Sequence, residues 1–199
     1  MNERDMKVLL FINQVELCTT RQVQETFFKG LHHSIVYNKM NSYIDSKLIK
    51  RKYMNIDTNR NSYVYYYNNP PKKRRLKHDL LITEFLAQLM QNDYEIIKFE
   101  KNPIVGGIIP DAEVWIKKNG VKQGIFLEVH LSNNQFISKY YNLKEKTKRE
   151  IPSILYVVTD QPLKAEKLRY FDVIIDDLKM EKINSGGFEN GNKAKWQYH

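Results

Sequence analysis

Three short stretches decide how this chain folds: Ile109-Pro110-Asp111, Lys118-Asn119-Gly120 and Glu128-Val129-His130. Lys118-Asn119-Gly120 reads as a hairpin turn, because Asn and Gly tolerate the positive φ angles of a tight connection. It joins a strand from Ile109 to Lys117 to another from Gly124 to Leu131. Period-two alternation then sends Ile125, Leu127 and Val129 to one face and Phe126, Glu128 and His130 to the other. One carboxylate, Asp111, thus opens a strand, and a second, Glu128, follows 17 residues later on its neighbour.

Working outward, His78 to Gln91 is helical by its Leu80, Leu81, Phe85, Leu86 and Leu89 face, and Tyr94 to Phe99 alternates as a strand. Phe136 to Glu150 reads as a second helix. Ser153 to Thr159, apolar through Ile154-Leu155-Tyr156-Val157-Val158, is a buried strand that this helix brings back parallel. Phe171 to Ile175 adds another strand, and little pattern follows Ser185-Gly186-Gly187.

The first third has a different grammar. Met6, Leu9 and Leu10 mark a helix from Asp5 to Gln14, Thr19 or Thr20 caps a second from Thr20 to Phe28, and Ser34 caps a third from Ile35 to Ser46. In the third, Ile35, Met40, Tyr43 and Ile44 are expected in the core. Leu48 to Tyr53 leads into a strand, 57–62 is turn chemistry, and Tyr63 to Tyr67 returns. Three helices and a β-hairpin in this order make a winged helix-turn-helix, whose third helix enters a DNA major groove while the hairpin lies on the backbone. Asn38, Lys39, Asn41 and Ser42 are the expected base-edge or phosphate contacts, with Lys50, Arg51, Lys52 and Arg60 on phosphates. Asn68-Asn69-Pro70-Pro71 breaks regular structure, and Lys72, Lys73, Arg74 and Arg75 extend the basic surface.

Charge follows the same division. Residues 1–70 carry 10 Lys/Arg against 6 Asp/Glu, residues 71–77 carry 5 against none, and residues 78–199 carry 17 against 17. The net charge of +9 therefore resides in the first 77 residues, which points to a polyanionic partner for that half. The expected organisation is a DNA-binding domain over 1–69, a basic linker over 70–77, an α/β domain over 78–180 and a tail over 181–199. The fold class is α+β. A single cysteine, Cys18, excludes an internal disulfide framework. The opening residues carry no signal-peptide pattern and no apolar run is long enough to span a bilayer, so a cytoplasmic protein without membrane contact is expected. Val105-Gly106-Gly107-Ile108 lacks the Lys-Ser/Thr of a phosphate loop. His32-His33 and His130 do not form a relaxase metal triad with Tyr140-Tyr141; His32-His33 suit a phosphate contact or a cap, and the tyrosines suit packing or DNA contact.

The αβββαβ order of residues 78–160, with Pro110-Asp111 and Glu128-Val129-His130 on its second and third strands, resembles the PD-(D/E)xK restriction-endonuclease-like superfamily. That resemblance implies that Asp111, Glu128 and the Val129 carbonyl hold Mg²⁺ or Mn²⁺, with Glu84 as a further ligand. It also implies a lysine two residues after the second carboxylate, where this chain has His130. Imidazole orients a water but only partly offsets phosphorane charge, and Lys139 or Lys144 could stand in for the lysine. Two readings stay open: a metal-dependent DNA endonuclease (nickase) using Asp111, Glu128 and His130, or a non-catalytic nuclease-like domain with Glu128 paired to His130 or a lysine. The winged helix, basic linker and Pro-Asp…Glu-x-His core together resemble the replication-relaxation family of plasmids and integrative elements. Membership implies a double-stranded-DNA-binding protein acting in plasmid replication, mobilisation or their regulation, with a homodimer and replication or relaxosome proteins as further partners.

Overall fold

The computed structural model describes residues 1–57, 60–131, 137–147, 150–161, 171–185 and 188, with the side chains of Asp57, Arg60 and Ile137 outside that description. The chain is mixed α+β, with two sheets.

Helix α1, Glu3–Val15, starts from an Asn2 capping box closed by Asp5. Strand β1, Leu17–Thr19, runs straight into α2, Thr20–Phe27, where Thr19 and Gln22 make a second capping box. Helix α3 spans His33–Asp45 and is capped by the His32 imidazole, which accepts the Ser34 N–H, rather than by Ser34 itself. Strands β2, Lys50–Asp57, and β3, Arg60–Tyr66, complete an antiparallel sheet in the order β1-β3-β2.

The α1 face differs from expectation. Val8, Phe11, Ile12 and Val15 are buried, whereas Met6 and Leu10 are 43% and 60% exposed. Both stripes satisfy a helical period; burial of Asp5, which accepts hydrogen bonds from Lys39 and Tyr43, accompanies the rotation that selects the first. Likewise α3 buries Val36, Met40 and Tyr43 and leaves Ile35 outside.

The stretch expected as a linker is structured. Pro71 is buried, Lys73–Arg75 form one 3₁₀ turn, and buried Leu76 begins helix α4, Leu76–Gln91. Strands β4 (Glu95–Lys101), β5 (Ala112–Lys118), β6 (Val121–His130), β7 (Ile154–Thr159) and β8 (Asp172–Asp176) form the second sheet in sequential order. The first three pair antiparallel and the last three parallel. Asn119 and Gly120 have φ of 51° and 82°, as a primed hairpin turn requires.

The expected helix from Phe136 to Glu150 is not continuous. Its described residues form a 3₁₀ turn, Ile137–Tyr140, and a short helix α5, Leu143–Lys146, separated at Tyr141-Asn142. Tyr140, from the 3₁₀ turn, and Leu143, from α5, both pack in the apolar cluster of Phe126, Leu155 and Val157. After β8, helix α6, Glu181–Asn184, buries Ile183, and Phe188 packs edge-on to Tyr94 and against Tyr156. That region is thus anchored as far as Phe188 rather than forming a tail from residue 181.

One apolar core runs through both halves, from Val8, Ile12 and Tyr65 to Phe85, Val114, Leu127 and Tyr156. A partly buried polar clasp ties α2 and β1 to α4. Arg21 and the Gln22 amide donate to Glu84 Oε2 at 2.6 and 2.9 Å, Gln22 also reaches the Leu80 carbonyl, and Thr83 donates to the Leu17 carbonyl. Among the described residues no helix is long and apolar enough to cross a membrane.

Candidate functional site

Hairpin register brings the two carboxylates together. Ala112 lies opposite Leu127, so Asp111, one step before β5, donates its N–H to the Leu127 carbonyl at 3.1 Å and accepts the Val129 N–H on Oδ2 at 2.8 Å. Its other oxygen lies 3.1 Å from His78 Nε2, while His78 Nδ1 lies 3.3 Å from Asp79. Burial alone would lower the His78 pKa; hydrogen bonds to Asp111 and Asp79 outweigh it and hold the value up at about 9. His78 is therefore an imidazolium at neutral pH. The charge chain continues through Asp79 to Lys101 at 3.4 Å and from Lys101 to Glu16 at 2.6 Å.

Glu128 is buried and takes the Tyr140 hydroxyl and the Lys139 ammonium on one oxygen, the latter at 2.6 Å. Burial, joined by the nearby Asp111 charge, raises the Glu128 pKa, and Lys139 and Tyr140 oppose that rise. Burial and the Glu128 charge push the Tyr140 phenol well above its ordinary value. Lys139 also donates to the Ile109 carbonyl at 3.0 Å, so this one side chain ties the entry to β5 to the carboxylate on β6. His130 is buried on β6 beyond Glu128; burial lowers its pKa against the pull of Asp160 and Asp111.

The expected divalent-metal set does not fit this arrangement. Asp111 already faces an amide and an imidazolium, and Glu128 a phenol and an ammonium. A divalent cation entering here would meet two like charges. Among the described residues no group of three or more His, Cys, Asp or Glu side chains is arranged to hold a metal ion. Glu84 is not part of the cluster, because its carboxylate is bound by Arg21, Gln22 and Gln88 in the clasp between α2 and α4. The residue that sequence reasoning missed is His78: it comes from α4, and no spacing rule links it to Asp111. Lys139 was legible as a cation near the missing lysine, though its pairing with Glu128 depends on the 3₁₀ turn.

The expected nucleic-acid contacts do not share one surface. Asn38 and Ser42 lie exposed on α3, with the Ser42 hydroxyl donating to the Lys39 carbonyl. Lys39, expected as a base or phosphate contact, is turned inward, 2.9 Å from buried Asp5 and over the Tyr43 ring. Hydrogen bonds from Asn2, Lys39 and Tyr43 outweigh burial and hold the Asp5 carboxyl down at about 2. Arg51 Nη1 donates to Asn41 Oδ1 at 2.5 Å and to the Tyr37 hydroxyl at 3.2 Å, with its guanidinium 4.6 Å from the Tyr63 ring centre. Asn41 is thus half-buried and engaged.

Strand alternation splits the Lys50-Arg51-Lys52 run. Arg51 and Tyr53 lie opposite Tyr65 and Tyr63 on the α3 side, whereas Lys52 shares its face with Met54 and Val64, which pack on Leu76 and Leu80 of α4. Lys50 and Lys52 are exposed on that second face, and Lys72 to Arg75 are exposed on the turn leading into the same helix. The Arg60 side chain lies outside the described residues. Comparison with protein-family models, with curated proteins and with solved structures finds nothing that matches this chain.

Proposed function

We propose that this protein binds duplex DNA through a winged helix-turn-helix in its first half, and that its second half is a nuclease-like body without phosphodiesterase activity. The observation that carries DNA binding is the outer face of α3. Asn38 and Ser42 stand in solvent there, beside an arginine held in place by Asn41, Tyr37 and Tyr63. The concentration of excess positive charge in the first 77 residues supports the same reading. Phosphate contact falls to Arg51 on this side and to Lys50, Lys52 and the Lys72–Arg75 turn on the other. On this proposal the protein acts for a plasmid or mobile element, in replication, mobilisation or their regulation, a role that rests on the order of elements in the sequence.

Satisfaction of Asp111 by Val129 and His78, and of Glu128 by Lys139 and Tyr140, supports the non-catalytic half of the proposal. Fluorescence anisotropy with labelled duplex DNA over a range of salt tests the first half. Affinity should fall steeply with salt and weaken when Asn38 and Ser42 are both changed to Ala; no measurable duplex binding by the wild type at low salt would refute it. Supercoiled plasmid incubated with Mg²⁺ or Mn²⁺ tests the second half. Nicking that Asp111→Ala and Glu128→Ala both abolish would replace it with the endonuclease reading.

A further inference from the structure

On the α3 side of the small sheet, aromatic rings outnumber cations. His33 stacks on Tyr37 with ring centres 6.4 Å apart and planes 16° from parallel. Tyr37 lies 6.0 Å from Tyr63, and Tyr63 lies 5.1 Å from Tyr53, its direct cross-strand partner. The rings form a connected row from the first turn of α3 to the outer strand of the hairpin. Arg51 sits within it, 4.6 and 5.8 Å from the Tyr63 and Tyr37 ring centres. Tyr53, at the far end, is 62% exposed.

Such a row suits a ligand that offers π-faces and negative charge together. A paired duplex keeps its base faces stacked inside and presents phosphates and base edges. Unpaired bases expose their faces, and aromatic side chains beside a cationic groove hold single strands by stacking, with little dependence on sequence. The Tyr53–Tyr63 pair also holds the hairpin together, as cross-strand aromatic pairs do. Even so, one edge-to-face contact leaves the outer face of Tyr53 in water.

We infer that the His33–Tyr37–Tyr63–Tyr53 row, with Arg51, stacks unpaired bases of a nucleic-acid strand, so that DNA carrying an unpaired segment beside a duplex is the preferred ligand. The inference rests on the nucleic-acid part of the proposed function and specifies which form of DNA that face takes. Duplex recognition by Asn38 and Ser42 and stacking on the tyrosines are then neighbouring contacts to one branched or tailed molecule.

Three labelled DNAs separate the two claims by anisotropy: a blunt duplex, the same duplex with a thymine overhang of about ten nucleotides, and the overhang alone. The tailed duplex should bind roughly tenfold more tightly than the blunt one. Tyr53→Ala should erase that advantage while leaving blunt-duplex affinity unchanged, and Tyr53→Phe should keep it. Tyr53→Leu retains apolar bulk on the hairpin without a ring, and its melting temperature shows whether the hairpin survives; it should bind like Tyr53→Ala. Equal affinity of the wild type for tailed and blunt duplexes overturns the inference and leaves duplex binding standing. Retention of the tail advantage by Tyr53→Leu likewise overturns it. Binding to tailed DNA and the overhang but not to blunt duplex keeps the inference and sinks the duplex reading. Binding to none of the three sinks both.

Discussion

The α3–hairpin face and the carboxylate cluster hold similar side chains and use them in opposite ways. At the hairpin, Arg51 lies exposed, and among the described residues its partners are an amide, a phenol and ring faces rather than a carboxylate. At the strand ends, each cation is matched to an acid: His78 to Asp111 and Asp79, Lys139 to Glu128, Lys101 to Asp79 and Glu16. Among the described residues the first face leaves the Arg51 charge without an acid, and the second neutralises its charge internally. Residue type alone therefore does not say whether the charge of a cluster is neutralised; the partner of each charge does.

The two regions share one apolar core, and the largest expected effect comes from opening it. Phe85 is fully buried in the shared core, 4.9 Å from Tyr156. Phe85→Ala should cost about 3–5 kcal/mol and lower a single melting transition for the whole chain. Two separate transitions in calorimetry would show that the regions are independent. Next in size is His78. Its folded pKa, about 9, lies above the ordinary 6.5, so its stabilisation is fully present below pH 6.5 and is lost as pH rises through 9. Urea denaturation should show wild-type stability falling by about 3 kcal/mol across that window, and His78→Gln should remove that part of the slope. An unchanged pH profile would mean that the imidazolium bridge contributes nothing.

Lys139→Met should destabilise by about 1 kcal/mol, because it removes the ammonium from buried Glu128 while part of the lysine stem stays in solvent. The same variant should leave duplex affinity unchanged, and weaker binding would extend the nucleic-acid surface to the second half. The smallest effect is expected at Lys52, exposed on the sheet face away from α3. Lys52→Ala should leave the melting temperature alone and reduce the slope of log affinity against log salt by about 1. An unchanged slope would confine the phosphate surface to the Arg51 side.

Much of the architecture was legible because local rules govern it. The Lys118-Asn119-Gly120 turn and alternation along Ile125 to His130 are properties of neighbouring residues, and they suffice to set Asp111 beside Glu128. The contacts that decide chemistry come from farther away. His78 reaches Asp111 from another helix, and Lys39 is drawn inward by Asp5 from 34 residues upstream. Neither follows from period or propensity. The Lys50-Arg51-Lys52 run shows another limit. Alternation alone would have divided it between two faces, but a compact block of charge reads as one patch until the strand is assigned. Tyr140 and Leu143, three residues apart, would share a face of an unbroken helix as well, so their spacing does not reveal the break at Tyr141-Asn142.

The clasp between α2 and α4 constrains how this chain could be rebuilt by recombination. Grafting another module in place of the first 69 residues would remove Arg21 and Gln22 and leave the Glu84 carboxylate without those two partners at the new boundary. It would also strip apolar cover from Leu76 and Leu80, which cluster with Leu17, Met54 and Val64. Single exposed positions on α3, such as Asn38 and Ser42, can therefore be varied with less damage to the fold than exchange of the whole half.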